Sequence, residues 1–140
     1  MLDKTALILV SVLTTSLMLS TSTAAAEIPA QCRALSPGEW KASVNMQQSG
    51  PAKLIVLGEV ETSTGGYEVT LEHGETELNP AIVTLDLKIV PPPADAMVSQ
   101  MITPHAVKAE VPEVSRDLKR VVINCGEGKL MEITEISVLN

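Results

Sequence analysis

Met97, Met101 and His105 stand four positions apart, and their side chains carry the most specific chemistry in the chain. Thioether and imidazole donors suit copper, so the triplet reads as a candidate site of a periplasmic copper-handling protein. Spacing alone does not bring the three together. A strand advances about 3.3 Å per residue, which sets positions four apart about 13 Å from each other. A helix would stack them on one face, but Pro104 removes a donor and ends a helix just before His105. Methionine also fills irregular gaps in a core, and a chain with no Phe, one Trp and one Tyr has gaps to fill. The filler reading is the simpler one, and no metal or cofactor is expected.

Catalytic chemistry finds less support. His73 lies in the polar turn Glu72-His73-Gly74-Glu75, where a solvated loop residue is expected. His105 follows Pro104 at the start of an alternating run and reads as a partly buried structural histidine. Neither has a nucleophile motif nearby in sequence, and there is no Gly-x-Ser-x-Gly, phosphate loop or dinucleotide glycine pattern. A non-enzyme is expected, with no catalytic residues. Glu72, Glu75 and Glu77 around Gly74 lack the ordered Asp/Asn spacing of a calcium loop. Trp40 and Tyr67 are the side chains best suited to anchoring a partner, yet both fall on faces assigned to the interior.

The compartment follows from residues 1–26. Lys4 precedes an apolar run, and the segment closes on Thr23-Ala24-Ala25-Ala26, whose small residues at −3 and −1 suit signal peptidase. Cleavage before Glu27 is expected, leaving 27–140 as a single domain. Thr and Ser interrupt the run, which is too short for the roughly 20 apolar residues of a spanning helix. A periplasmic or secreted protein, not membrane-embedded once processed, is therefore expected. In that oxidising space Cys32 and Cys125, the only cysteines, are expected to form a disulfide. Net charge is −7, and the segment carries one Asp and one Lys, so removing it leaves the balance unchanged. Nucleic acid and anionic lipid surfaces both reward clustered Lys and Arg, so neither is an expected partner.

The elements that position these residues are strands. Period-2 alternation runs through Trp40, Ala42 and Val44, then through 53–61, Tyr67 to Leu71, Val83 to Ile89, His105 to Val111, and Val121 to Cys125. A last strand is expected near 129–138. Thr62-Ser63-Thr64-Gly65-Gly66 is the best hairpin signal, and Pro91-Pro92-Pro93 reads as a rigid crossover. Residues 97–102 fit a short strand or a helical turn equally. Pro104 and Pro112 are expected to bound the strand between them. The expected fold is all-β, a small antiparallel immunoglobulin-like sandwich of about seven or eight strands, with a small β-barrel as the alternative.

Four stretches, Glu39-Trp40-Lys41-Ala42-Ser43-Val44-Asn45, Leu54-Ile55-Val56-Leu57-Gly58-Glu59-Val60, Gly66-Tyr67-Glu68-Val69-Thr70-Leu71 and Val121-Val122-Ile123-Asn124-Cys125-Gly126, give the chain a resemblance to small exported bacterial proteins with a β-sandwich-like domain. The resemblance implies a fold and no activity, substrate or site. The expected function is a non-catalytic exported binding or interaction module whose partner is an unidentified protein or small ligand. The alternatives are the copper reading and an exported inhibitor of a hydrolase.

Overall fold

Aliphatic side chains at every second position drive the described residues into eight strands. The computed structural model describes residues 28–46, 49–74 and 78–140. Residues 1–26, expected to be the export signal, and Glu75 and Glu77 of the acidic loop lie outside the described residues. The strands are β1 (Glu39–Asn45), β2 (Ala52–Thr62), β3 (Glu68–His73), β4 (Ile82–Val90), β5 (Thr103–Val114), β6 (Arg120–Cys125), β7 (Gly128–Ile133) and β8 (Ile136–Leu139). They form two four-stranded sheets, ordered β5-β2-β1-β8 and β3-β4-β6-β7. The fold is all-β and sandwich-like. The sheets do not close, so the barrel alternative is set aside.

One aliphatic core lies between the sheets. Ala42, Val44, Leu54, Val56, Val60, Val107 and Val111 enter it from one side, and Val83, Leu85, Leu87, Val121, Ile123 and Ile133 from the other. Each fully buried Val, Leu or Ile contributes about 1.5–3 kcal/mol relative to exposure. Trp40 sits on the same inward face as Ala42 and lies directly across from Gly58. A Cβ at Gly58 would fall among the Trp40 ring carbons Cε3, Cζ3 and Cδ2. The glycine is therefore the space in which the indole lies, and Trp40 Nε1 donates to Pro37 O at 2.6 Å.

The outer faces carry the charge. Glu110 of β5 is held by Lys53 across the β2–β5 pair at 2.8 Å and by Lys108 of its own strand at 3.1 Å. Glu132 of β7 is held by Arg120 from β6 and by Lys129 of its own strand, each at 2.8 Å. Lys129, hydrogen-bonded to Glu132, and the Arg120 and Lys129 charges beside it hold that carboxyl below the ordinary range, and the two lysines do the same for Glu110.

Three expectations about connectivity are corrected. First, the sheets are mixed instead of antiparallel: β4 runs parallel to β6, and β1 parallel to β8. The cause is topological. β5 runs back through the opposite sheet, so β6 returns beside β4 in the same direction. Second, the segment 62–66 is not a hairpin, because β2 and β3 belong to different sheets. The tight hairpin is β6–β7, where Gly126 at φ 65° opens a two-residue turn between Cys125 and Gly128. Third, the final run is two strands. It breaks at Thr134 and Glu135, leaving β7 in one sheet and β8 in the other. Pro104 and Pro112 lie within β5 and do not bound it. An edge strand tolerates proline because one side of its backbone has no ladder partner.

The arm 28–38 closes one end of the molecule. Cys32 is bridged to Cys125 with the Cα atoms 5.1 Å apart and a sequence separation of 93, as the two lone thiols lead one to expect. Leu35 N–H donates to Glu61 O at 2.9 Å, and Ala34 is buried. Gly126 also leaves room for the arm, since a Cβ there would lie 2.9 Å from Gln31 Cβ.

Replacing both cysteines with alanine is expected to cost about 2–5 kcal/mol, as loss of a native bridge from a small secreted domain does. Denaturant unfolding under non-reducing conditions measures it, and an unchanged midpoint would sink the claim. Gly58→Ala is expected to displace the indole and cost about 1–3 kcal/mol as an overpacking change. Loss of stability together with a red-shifted Trp40 emission is the expected pair of readouts.

Candidate functional site

Residues 91–102 carry the chain from β4 in one sheet to β5 in the other, and they form the segment where exposed apolar side chains gather. Three consecutive prolines prevent strand pairing at its start, because none can donate to a ladder. Ala96 N–H then donates to Pro93 O at 3.0 Å, which turns the chain. Val98 and Pro92 lie half-buried against Gly66, whose φ of 82° and missing Cβ let them approach. Gly65 N–H donates to Ser99 O at 2.8 Å. Thr103 Oγ1 donates to Met101 O at 2.9 Å and fixes the exit. The crossover is thus anchored on the turn 62–66 by one inward-facing side.

Its other side faces solvent. Met97 is 102% exposed, Met101 72% and Ile102 60%, and Val90 at the end of β4 is 52% exposed. The expectation that Met97 and Met101 fill the core is therefore overturned. An apolar run without period gives no face to bury, and this one is pinned through Val98 and Pro92 instead. Residues 97–102 are neither strand nor helical turn but irregular chain.

His105 stands apart from the methionines. It is the third residue of β5, half-buried, with Nε2 at 2.8 Å from Thr62 Oγ1 at the end of β2. Thr62 is 0% exposed, and its hydroxyl donates to Thr64 O at 2.8 Å. A hydroxyl has a single proton, so with that proton given to Thr64 the ring donates through Nε2–H to Oγ1. The pair latches the start of β5 onto the turn that seats the crossover. Two chemical consequences follow. The Nε2 lone pair is not offered to a metal, and the Thr62 hydroxyl that the ring bonds is fully buried. His73 is exposed at the end of β3. Among the described residues no three of His, Cys, Asp and Glu gather into a group that could hold a metal ion.

Two of the open clefts among the described residues are lined by strand side chains. One of about 430 Å³ lies between the arm and β4–β6, with Arg33, Asp86, Lys88 and Asn124 around it. Lys88 is salt-bridged to Glu72 at 2.6 Å, which raises its pKa above the ordinary lysine value. The other, about 560 Å³, runs between β1 and β7 over Trp40, Met131 and Ile133. Sequence reasoning missed Thr62 as the partner of His105, although its parity with Leu54, Val56 and Val60 places it on the inward face. It also missed the exposure of Val90 and Ile102. The signal available was the loss of alternation after Val90.

Binding of Cu(I) at Met97, Met101 and His105 would require the His105 ring to leave Thr62 or to ligate through Nδ1. Competition against a Cu(I) chelator is expected to show no affinity beyond that of free methionine. Stoichiometric tight binding, lost in Met97→Ala and in His105→Ala, would reverse this expectation.

Comparison of the chain with protein-family models, curated proteins and solved structures finds no match.

Proposed function

We propose that this protein is a non-catalytic module, exported to an oxidising compartment, that docks a protein partner through the crossover 91–102. The observation that carries the reading is an ordered loop whose apolar side chains point to water. Exposed Val90, Met97, Met101 and Ile102 have no interior to fill, while Val98, Pro92 and the Gly65–Ser99 hydrogen bond hold the loop in shape. Pre-setting a loop lowers the ordering cost of binding, and methionine adapts to irregular apolar surfaces. Export is supported by the Cys32–Cys125 bridge and the small residues before Glu27. No helix among the described residues is long and apolar enough to cross a membrane. The immunoglobulin-like class is supported by two facing four-stranded sheets, although the parallel β4–β6 pair departs from its antiparallel rule.

The test is paired affinity capture from periplasmic extract, using the wild-type domain and the double variant Met97→Asp/Met101→Asp. Both residues are exposed, so the variant is expected to keep the wild-type melting temperature. A species held by the wild type and lost with the variant supports the reading. Capture that the variant leaves unchanged moves the contact off the crossover.

A further inference from the structure

We infer that Met97 and Met101 form a sulfoxidation site that switches the crossover from apolar to polar without disturbing the sheets. The inference concerns the surface proposed above for docking, but the chemistry holds whether or not a partner binds there. Oxidation of a thioether needs an unobstructed approach to Sδ. Met97, at 102% exposure, and Met101, at 72%, offer it from solvent. Met46 and Met131 are instead partly buried and packed against the core. The four methionines of the described residues thus fall into two classes.

The step balances with a hydroperoxide as the only co-reactant. A lone pair on Sδ attacks the distal peroxide oxygen, an S–O bond forms, and the O–O bond breaks. The peroxide proton passes to the departing oxygen and gives water from hydrogen peroxide, or an alcohol from an organic peroxide. Sulfur loses two electrons and the peroxide gains them. The product is methionine sulfoxide, a polar and chiral group that dedicated reductases return to methionine.

The fold isolates the change. Neither residue lies in a strand, and the contacts that seat the crossover are made by Pro92, Val98, the Gly65–Ser99 pair and the backbone carbonyl of Met101. None of them uses a methionine sulfur. Oxidation therefore alters what the loop presents and leaves how it is held. The two sites also sit on one segment, so both can change within a single exposed surface.

The experiment treats the native domain with hydrogen peroxide and follows each methionine by peptide mapping with mass spectrometry. Met97 and Met101 are expected to gain oxygen several-fold faster than Met46 and Met131, with the gap closing in urea. Equal native rates, or faster oxidation of Met131, would overturn the site. Retention on a hydrophobic-interaction column then reads the switch. It should fall on oxidation of the wild type, hold steady for Met97→Leu/Met101→Leu under the same treatment, and be accompanied by an unchanged melting temperature. An equal fall in the double leucine variant, or a lowered melting temperature of the singly and doubly oxidised wild type, would overturn the switch. Partner capture plays no part in these readouts, so failure of the docking reading leaves them interpretable.

Discussion

The whole structure depends on filling the space between two sheets with aliphatic side chains. Without phenylalanine, the interior is built from Val, Leu, Ile and Ala at alternate positions, and these β-branched and γ-branched chains pack into a thin layer. A thin layer leaves little tolerance at its margins. Trp40 supplies the single large volume, and it fits because Gly58 across the ladder contributes no side chain. Where the layer ends, the chain must supply a lid. The arm 28–38 does so, seated by buried Ala34 and tied by the disulfide.

A sandwich with open sheets also has edges to manage, and each edge is blunted differently. β5 carries Pro104 and Pro112, which interrupt its row of donors. β8 is only four residues long. β7 has a register irregularity opposite Ile123 and Asn124, which twists the strand away from flat pairing. β3 turns Glu68, Thr70 and Glu72 outward, with Glu72 held by Lys88. Taken together, these devices direct association away from backbone pairing. The exposed apolar side chains of the crossover lie outside these strands, on the surface proposed above for docking.

Much of the fold was legible because alternation is a direct trace of a buried face. Val83, Leu85 and Leu87 show it most plainly, and the prolines at 91–93 correctly marked a passage between sheets. The errors share one physical origin. Glycines at 65 and 66 announce that the chain reverses, but a reversal does not specify which sheet receives the next strand. Thr134 and Glu135 likewise read as outward residues of one strand, when they are the step between two layers. Parallel neighbours follow from such steps and leave no local mark. At the candidate site the disulfide was legible from composition and compartment. The methionines were not, since a segment without periodicity carries no information about which side is wet.

The pairing of β1 with β8 has a kinetic consequence. The first strand and the last lie side by side, with Ala42 opposite Ile136 and Asn45 opposite Leu139. A chain emerging from its N-terminus cannot finish the first sheet until nearly every residue is present, and the bridge from Cys32 waits equally for Cys125. Loop-closure entropy must be met before either contact stabilises anything, which places such a topology among slow folders, on the order of milliseconds to seconds. Through that interval the edge of β1 that β8 covers stands unpaired. The first sheet is thus completed only by the last strand of the described residues.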